Sequence, residues 1–471
     1  RFRLLPMSPA DPTGLRHETI AKYCDLLNAL DCAVYLGQVT VAGECHTRLL
    51  AFVRGLAPLE RAALDAHSGL PGWPSRRRRR LKTRWEALQL HGGSWKGWRE
   101  ELEAGRDGQA ECVGEAGANG REDGAAGRLR RQEALREAAK DLVYAKPPGE
   151  HRAALWRFCA AGAGALDRGE GAGGAVPSRD APPSNEEDRA QFEQMLLDVR
   201  RTPHLGEGQE DALISILVAY CSRRAVAAGA LFDHYVQGMH MLAACPLWAG
   251  LDRADALLVF ECVLERLCGG YYSDSSFGLF KRDVLVAEAL IEERLPHLAA
   301  TLRSASVPTM SIAFDPLLCL FTYHMPSSSA LRIWDVLLLE GDAAVFALLL
   351  VLLRELLPEA LGPSRGGDKG AAKWDGVPLL DQLHERLSTL SEERVEAMLY
   401  YTRGLLEGSD CEEVGGLRRR LHELRQSGVA TDGEACVQDG CVGSWWGQVR
   451  GWWSEDVPPS EAKPSSMCPQ M

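Results

Sequence analysis

Two side chains in this 471-residue chain are suited to electrostatic work on a phosphoryl group: Arg201 in MLLDVRRTP (195–203) and Gln237 in YVQGMHML (235–242). A guanidinium can offset charge on phosphate oxygens, and a carboxamide can both donate a hydrogen bond to a water and accept one from it. Neither stretch comes with a phosphate-binding loop of the form G-x-x-x-x-G-K-[ST], nor with an Asp cluster suited to magnesium. That combination predicts a protein that completes an active site on another molecule.

The elements that position these residues can be read from the same stretches. In a helix, Asp198 and Arg201 share a face three residues apart, close enough for the carboxylate to orient the guanidinium. Thr202 and Pro203 then end that helix and leave the arginine at an element terminus. On these residues alone a surface i,i+3 ion pair is the favoured reading. In the second stretch, Gly238 removes a side chain beside Gln237 and lets a backbone or ligand approach, although a glutamine at a helix start is the plain alternative.

Around them the chain reads as all-α. DALISILVAYCSRRAVA, ADALLVFECVLERL, RDVLVAEALIEERL, SALRIWDVLLLE and AAVFALLLVLLREL carry apolar residues at helical spacing, and period-2 alternation is almost absent. The run Ala343 to Leu353 is 11 residues long, too short for a membrane span of about 20, and predicts a buried core helix. Residues 1–103 form a mostly helical region holding a basic stretch at 76–99, with nine Lys or Arg against one acidic residue. Residues 104–146 read as a Gly/Ala/Glu/Arg-rich linker, disordered over 104–127, followed by a helix. The main helical unit is expected over 147–427, with a core at 147–360 and closing helices at 378–427. Loops are expected near 169–188 and 362–372, and a mostly disordered, Trp-containing tail at 428–471.

Hydrophobic residues make up 46 % and charged residues 25 %, an ordinary balance for a globular protein. The net charge of −12 argues against nucleic acid as the partner, and RRRRR at 76–80 reads as a solvated linker before it reads as a binding patch. The 14 cysteines are scattered through apolar runs and fit free thiols in a reducing compartment; Cys436 and Cys441 lack the companions of a zinc site, so no metal centre is expected. The opening RFRLLPMSPADPTG has no initiator Met and suggests a fragment of a longer product.

The order of the motifs resembles the TBC domain, the catalytic domain of activators of Rab-family GTPases. Met195, Asp198, Arg201 and Thr202 fill its I-x-x-D-x-x-R-T, and Tyr235, Gln237, Gly238 and Met239 fill its Y-x-Q-G-M. Upstream, Pro148, Arg152 and Trp156 match G-x-P-x-x-x-R-x-x-x-W, with Lys146 in place of the glycine. Downstream, LRIWDVLLLEG matches R-I-W-D-x-x-L-x-E-G through Arg332, Trp334, Asp335 and Gly341. The pattern departs at AFDPLLCLF, where Asp315 and Pro316 replace an aromatic approach, and at LFDHYVQG, which lacks the familiar V-G-Y.

The resemblance implies that Arg201 is an arginine finger and Gln237 a glutamine finger, both supplied in trans. Asp198, Thr202, Tyr235 and Gly238 would support their geometry, while Arg152, Trp156, Arg332, Trp334 and Asp335 would be architectural. It implies no cofactor of the chain's own, since GTP and Mg²⁺ are carried by a Rab-family small GTPase as partner. The implied setting is vesicle trafficking, in the cytoplasm or peripheral on endomembranes. A non-catalytic helical module that binds a Rab or scaffold is the alternative. In SWWGQVRGWW, Trp445 and Trp446 recur as Trp452 and Trp453, a spacing suited to a membrane interface or to a groove, including one on the protein itself.

Overall fold

A computed structural model describes residues 22–23, 26, 29–30, 39–56, 94–112, 118–145, 147–165, 186–224, 234–272, 277–361, 376–407 and 416–427. Among them the structure is all-α, with no strand. The helices are α1 (Val39–Gly55), α2 (Trp95–Cys112), α3 (Ala118–Ala145), α4 (Arg152–Ala165), α5 (Glu186–Arg201), α6 (Gln209–Arg224), α7 (Met239–Trp248) and α8 (Arg253–Arg266). They continue with α9 (Gly278–Arg294), α10 (Pro296–Ser304), α11 (Thr309–Phe314), α12 (Ser327–Glu340), α13 (Ala343–Leu361), α14 (Gly376–Ser388), α15 (Glu392–Glu407) and α16 (Gly416–Gln426). A π-helical turn, Asp315–Cys319, follows α11 directly.

Helices that are apolar all round lie at the centre, because no face of them is suited to water. The first 11 residues of α13 are all buried, and α13 packs against α9, α12, α14, α15 and α16. The sequence SALRIWDVLLLE makes α12 the second central element, set against α3, α4, α7 and α15. The short α7 is buried along MHMLAACPL and lies against α6 and α8. No helix among the described residues is long and apolar enough to cross a membrane, in keeping with the shortness of the run at 343–353.

Helix reaches further into the 104–127 stretch than composition suggests: α2 ends at Cys112 and α3 begins at Ala118. A shortage of large apolar residues limits packing, whereas Ala, Arg and Glu are strong helix formers. Of the expected loops, 169–185 and 362–372 lie outside the described residues, and Glu186–Asp188 already belong to α5. The run Arg76–Arg80, Cys436, Cys441 and the tail 428–471 with Trp445, Trp446, Trp452 and Trp453 also lie outside them.

The packed core begins before residue 147. Leu135, Ala138, Ala139, Leu142, Val143 and Tyr144 of α3 are buried, and the indole Nε1–H of buried Trp98 donates to the Leu135 carbonyl at 3.0 Å. Asp141 accepts from Nη2 of Arg403 on α15 at 2.7 Å, with both side chains buried. Removing one partner of such a pair leaves a charge uncompensated in the interior, at a cost of about 3–5 kcal/mol. A fragment starting at 147 is therefore expected to melt well below one starting at 94, measured by thermal unfolding of the two fragments side by side. Equal midpoints would show that α2 and α3 are dispensable to the fold.

Candidate functional site

The first motif lies on the last turns of α5, which ends at Arg201 just before Thr202 and Pro203. Arg201 is exposed, while Asp198, three residues earlier, is 1 % exposed. The Asp198 carboxylate accepts from Gln194 Nε2 at 2.9 Å and from the Tyr235 hydroxyl at 2.7 Å. Burial pushes its pKa up, opposed by those two hydrogen bonds and by the charge of Arg201. Thr202 is buried and donates its hydroxyl to the Asp198 carbonyl at 3.0 Å, satisfying a carbonyl in the helix's last turn.

The second motif precedes α7. Gly238 stands at the helix N-cap with φ +104°, a conformation that disfavours any other residue, and so fixes the turn that carries Gln237. Gln237 is half-buried. Tyr235 is buried, and its hydroxyl also lies 3.4 Å from Nδ1 of His240. Burial lowers the His240 pKa to about 3, so the imidazole stays neutral and adds no charge behind the motif.

The hydrogen bond from Tyr235 to Asp198 therefore ties the two motifs together. Arg201 lies one helical turn from one end of that bond, and Gln237 two residues from the other. Tyr235→Phe leaves the buried Asp198 carboxylate short of a donor and is expected to cost about 1–3 kcal/mol. It should also lower whatever activity depends on the two residues acting together. Urea unfolding of the variant checks the first, and an unchanged midpoint would mean that the hydroxyl does not fix the pair.

A third segment reaches the same region. Asp315, whose presence departs from the expected pattern, is buried. Its Oδ1 accepts the Tyr323 backbone N–H at 3.2 Å, and its Oδ2 lies 3.2 Å from Nδ1 of His324. The His324 ring stacks on His384 of α14 with centroids 3.8 Å apart and planes 10° from parallel. Leu320 and Phe321 adopt φ of +47° and +65°, positions that cost a non-glycine residue about 1–3 kcal/mol each. Gln194, His240 and Tyr323 carry no expected role in the sequence, because they occupy no motif position: Gln194 and His240 act on the motif residues Asp198 and Tyr235, and Tyr323 is placed by Asp315.

The residues expected to be architectural meet in one buried cluster. Arg152 donates through Nε and Nη2 to the two oxygens of Asp335 at 2.8 and 3.0 Å, and Trp156 Nε1 donates to Oδ1 at 2.9 Å. Trp156 lies against Trp334, whose own Nε1 donates to the Leu320 carbonyl at 3.0 Å. Arg332 donates to Glu396 of α15 and to the Val143 carbonyl of α3, at 2.9 and 2.6 Å. The cluster thus binds α3, α4, α12 and α15 to the segment that carries Tyr323.

Among the described residues no group of three or more His, Cys, Asp or Glu side chains is placed to hold a metal ion. Cys159, Cys221, Cys245, Cys262, Cys268 and Cys319 are buried free thiols. Burial raises Cys159 and Cys221 to about 12, which disfavours the thiolate a nucleophile needs.

The Rab-GTPase-TBC domain family model matches residues 150–361. TBC1 domain family member 14 of Rattus norvegicus is 33 % identical over 208 residues, which is 42 % of this chain and 29 % of that protein. Growth hormone-regulated TBC protein 1-A of Danio rerio is 28 % identical over 237 residues, 46 % of this chain and 59 % of that protein. The chain thus spans less than a third of the first relative's length and less than two thirds of the second's. A crystal structure of the Chlamydomonas flagellar RabGAP TBC domain aligns with a TM-score of 0.42 and 18 % identity, covering 59 % of this chain and 92 % of that one.

Proposed function

We propose that this chain is a GTPase-activating protein for a Rab-family small GTPase, with Arg201 and Gln237 as the groups it supplies, a reading supported by the match of the Rab-GTPase-TBC domain model to residues 150–361. Hydrolysis of GTP needs a water to attack the γ-phosphorus while the bond to the β-phosphate oxygen breaks, and charge on the phosphoryl oxygens must be offset as it spreads. An arginine supplied in trans accelerates this by about 10³–10⁵. Arg201, exposed at the end of α5, is placed where it can be presented to those oxygens. Gln237 would hold the water through its amide.

The division of labour between the remaining residues follows from their burial. Asp198, Thr202, Tyr235 and Gly238 fix the backbone and spacing of the two fingers without reaching the nucleotide. Both fingers would act through prearranged charge and positioning, with no covalent bond to this chain. GTP and Mg²⁺ would come with the GTPase, so the chain needs no phosphate loop of its own. Such an activator belongs to vesicle trafficking, working peripherally on endomembranes.

The single observation that carries this reading is the buried Tyr235–Asp198 hydrogen bond, which joins the arginine motif to the glutamine motif. Phosphate release from a panel of GTP-loaded Rab proteins, with and without the full chain, tests it. Stimulated turnover of at least one member is expected. GTP-dependent binding with no stimulation on any member would instead establish a non-catalytic binding module.

A further inference from the structure

Arg201 has conspicuous neighbours on its surface. Leu197 lies four residues before it on α5, so the helical period puts both side chains on one face, and Leu197 is 44 % exposed. Tyr323 is 37 % exposed and arrives from the segment after the π-helical turn. The π-helical turn before it and α5 both pack against α7, which brings the two segments to one side of the fold; burial, Cys319 and Asp315 push the Tyr323 phenol up, and the nearby charge of Arg201 opposes them. Five large apolar side chains stand exposed among the described residues, and these two accompany Arg201.

Singly exposed apolar residues need no explanation. Tyr323 differs in how much structure holds it in place. Its backbone N–H is bound to buried Asp315, the next residue stacks on His384, and the two residues at 320 and 321 are held in left-handed conformations. The Trp334 indole anchors the Leu320 carbonyl beneath it. Strained backbone of this kind persists only where surrounding contacts over-determine it, and it tends to cluster at functional sites.

An arginine that reaches a phosphate inside a partner cannot do so alone. The partner surface around that phosphate must close over the residues on either side of the arginine and exclude water. On α5 that neighbour is Leu197, and on the segment after the π-helical turn it is Tyr323.

We propose that Leu197 and Tyr323 are the apolar docking contacts that seat the GTP-bound GTPase against Arg201, and that they help set which GTPase is served. This rests on the function proposed above. Both side chains act on the encounter and not on the reacting atoms, so their loss should weaken productive binding while leaving the bound complex able to turn over.

The test uses the full chain with Leu197→Ser, Tyr323→Ser and Tyr323→Phe, and a GTP-loaded Rab that the parent protein stimulates. KM for the GTPase and kcat are measured separately. Each serine variant is expected to raise KM about tenfold with kcat within about twofold of the parent, while Tyr323→Phe keeps the ring and a KM close to the parent's. Unchanged KM in both serine variants overturns the inference while the activator function stands. A fall in kcat at unchanged KM also overturns it, since it places the residues in the chemistry or the fold. A parent protein that stimulates no Rab removes the function, and this inference with it.

Discussion

Arg201→Ala is expected to lower stimulated GTP hydrolysis by about 10³ or more while leaving the fold intact, and Arg201→Lys to restore little of it. An ammonium keeps the charge but loses the planar fork that binds two oxygens at once. The fold should stay intact because Arg201 is exposed at the end of α5, and surface substitutions of that kind stay within about 0.5 kcal/mol. Gln237→Ala should fall in the same direction, and the double variant should lose less than the sum of the two, as happens when residues act as a unit. Single-turnover hydrolysis under excess activator, beside thermal unfolding of each variant, separates the two effects. Full activity in Arg201→Lys would remove Arg201 from the reaction.

The second large effect is on stability. Asp335 is 0 % exposed and its two oxygens take three donors from Arg152 and Trp156. Asp335→Ala strands a guanidinium and an indole N–H between helices that are far apart in sequence, and is expected to cost about 3–5 kcal/mol. Burial raises the Asp335 carboxyl's pKa while Arg152 and Trp156 oppose the rise, so the carboxylate's presence depends on those partners. Asp335→Asn keeps an acceptor and should cost less. Urea unfolding at constant slope measures the difference. A midpoint shift worth less than about 0.5 kcal/mol, the level of a surface pair, would show that the cluster does not hold the domain together.

The fold class was legible because helical spacing recurs in almost every apolar segment, and the central place of α13 because AAVFALLLVLL offers no polar face. The register of Asp198 and Arg201 was legible too, since both sit on one helix. What Asp198 touches was not. The sequence spacing pairs it with Arg201, yet its oxygens serve Gln194 and Tyr235, the latter from a segment 37 residues away. Long-range contacts of that kind leave no periodic trace.

Asp315 shows the same limit from the other side. As a letter it is a departure from a pattern, whereas in the fold it caps the Tyr323 backbone and faces His324. The inward packing of α3 was hidden by composition. Residues 118–127 lack large apolar side chains, and among the described side chains of this helix the buried apolar ones run from Leu135 to Tyr144. The expected linker therefore ends in a helix whose residues belong to the core.

A chain that supplies Arg201 to this reaction should be complementary to the transition state of hydrolysis on another protein's nucleotide. The most direct measurement compares its affinity for a responsive Rab loaded with GDP and aluminium fluoride, which imitates the transferring phosphoryl group, with its affinity for the same Rab loaded with GDP alone. Binding is expected to be tighter by about 10² or more in the first case, because transition-state analogues gain at least that much, with the gain lost in Arg201→Ala. Equal affinity for the two forms, or a gain that survives Arg201→Ala, would contradict it.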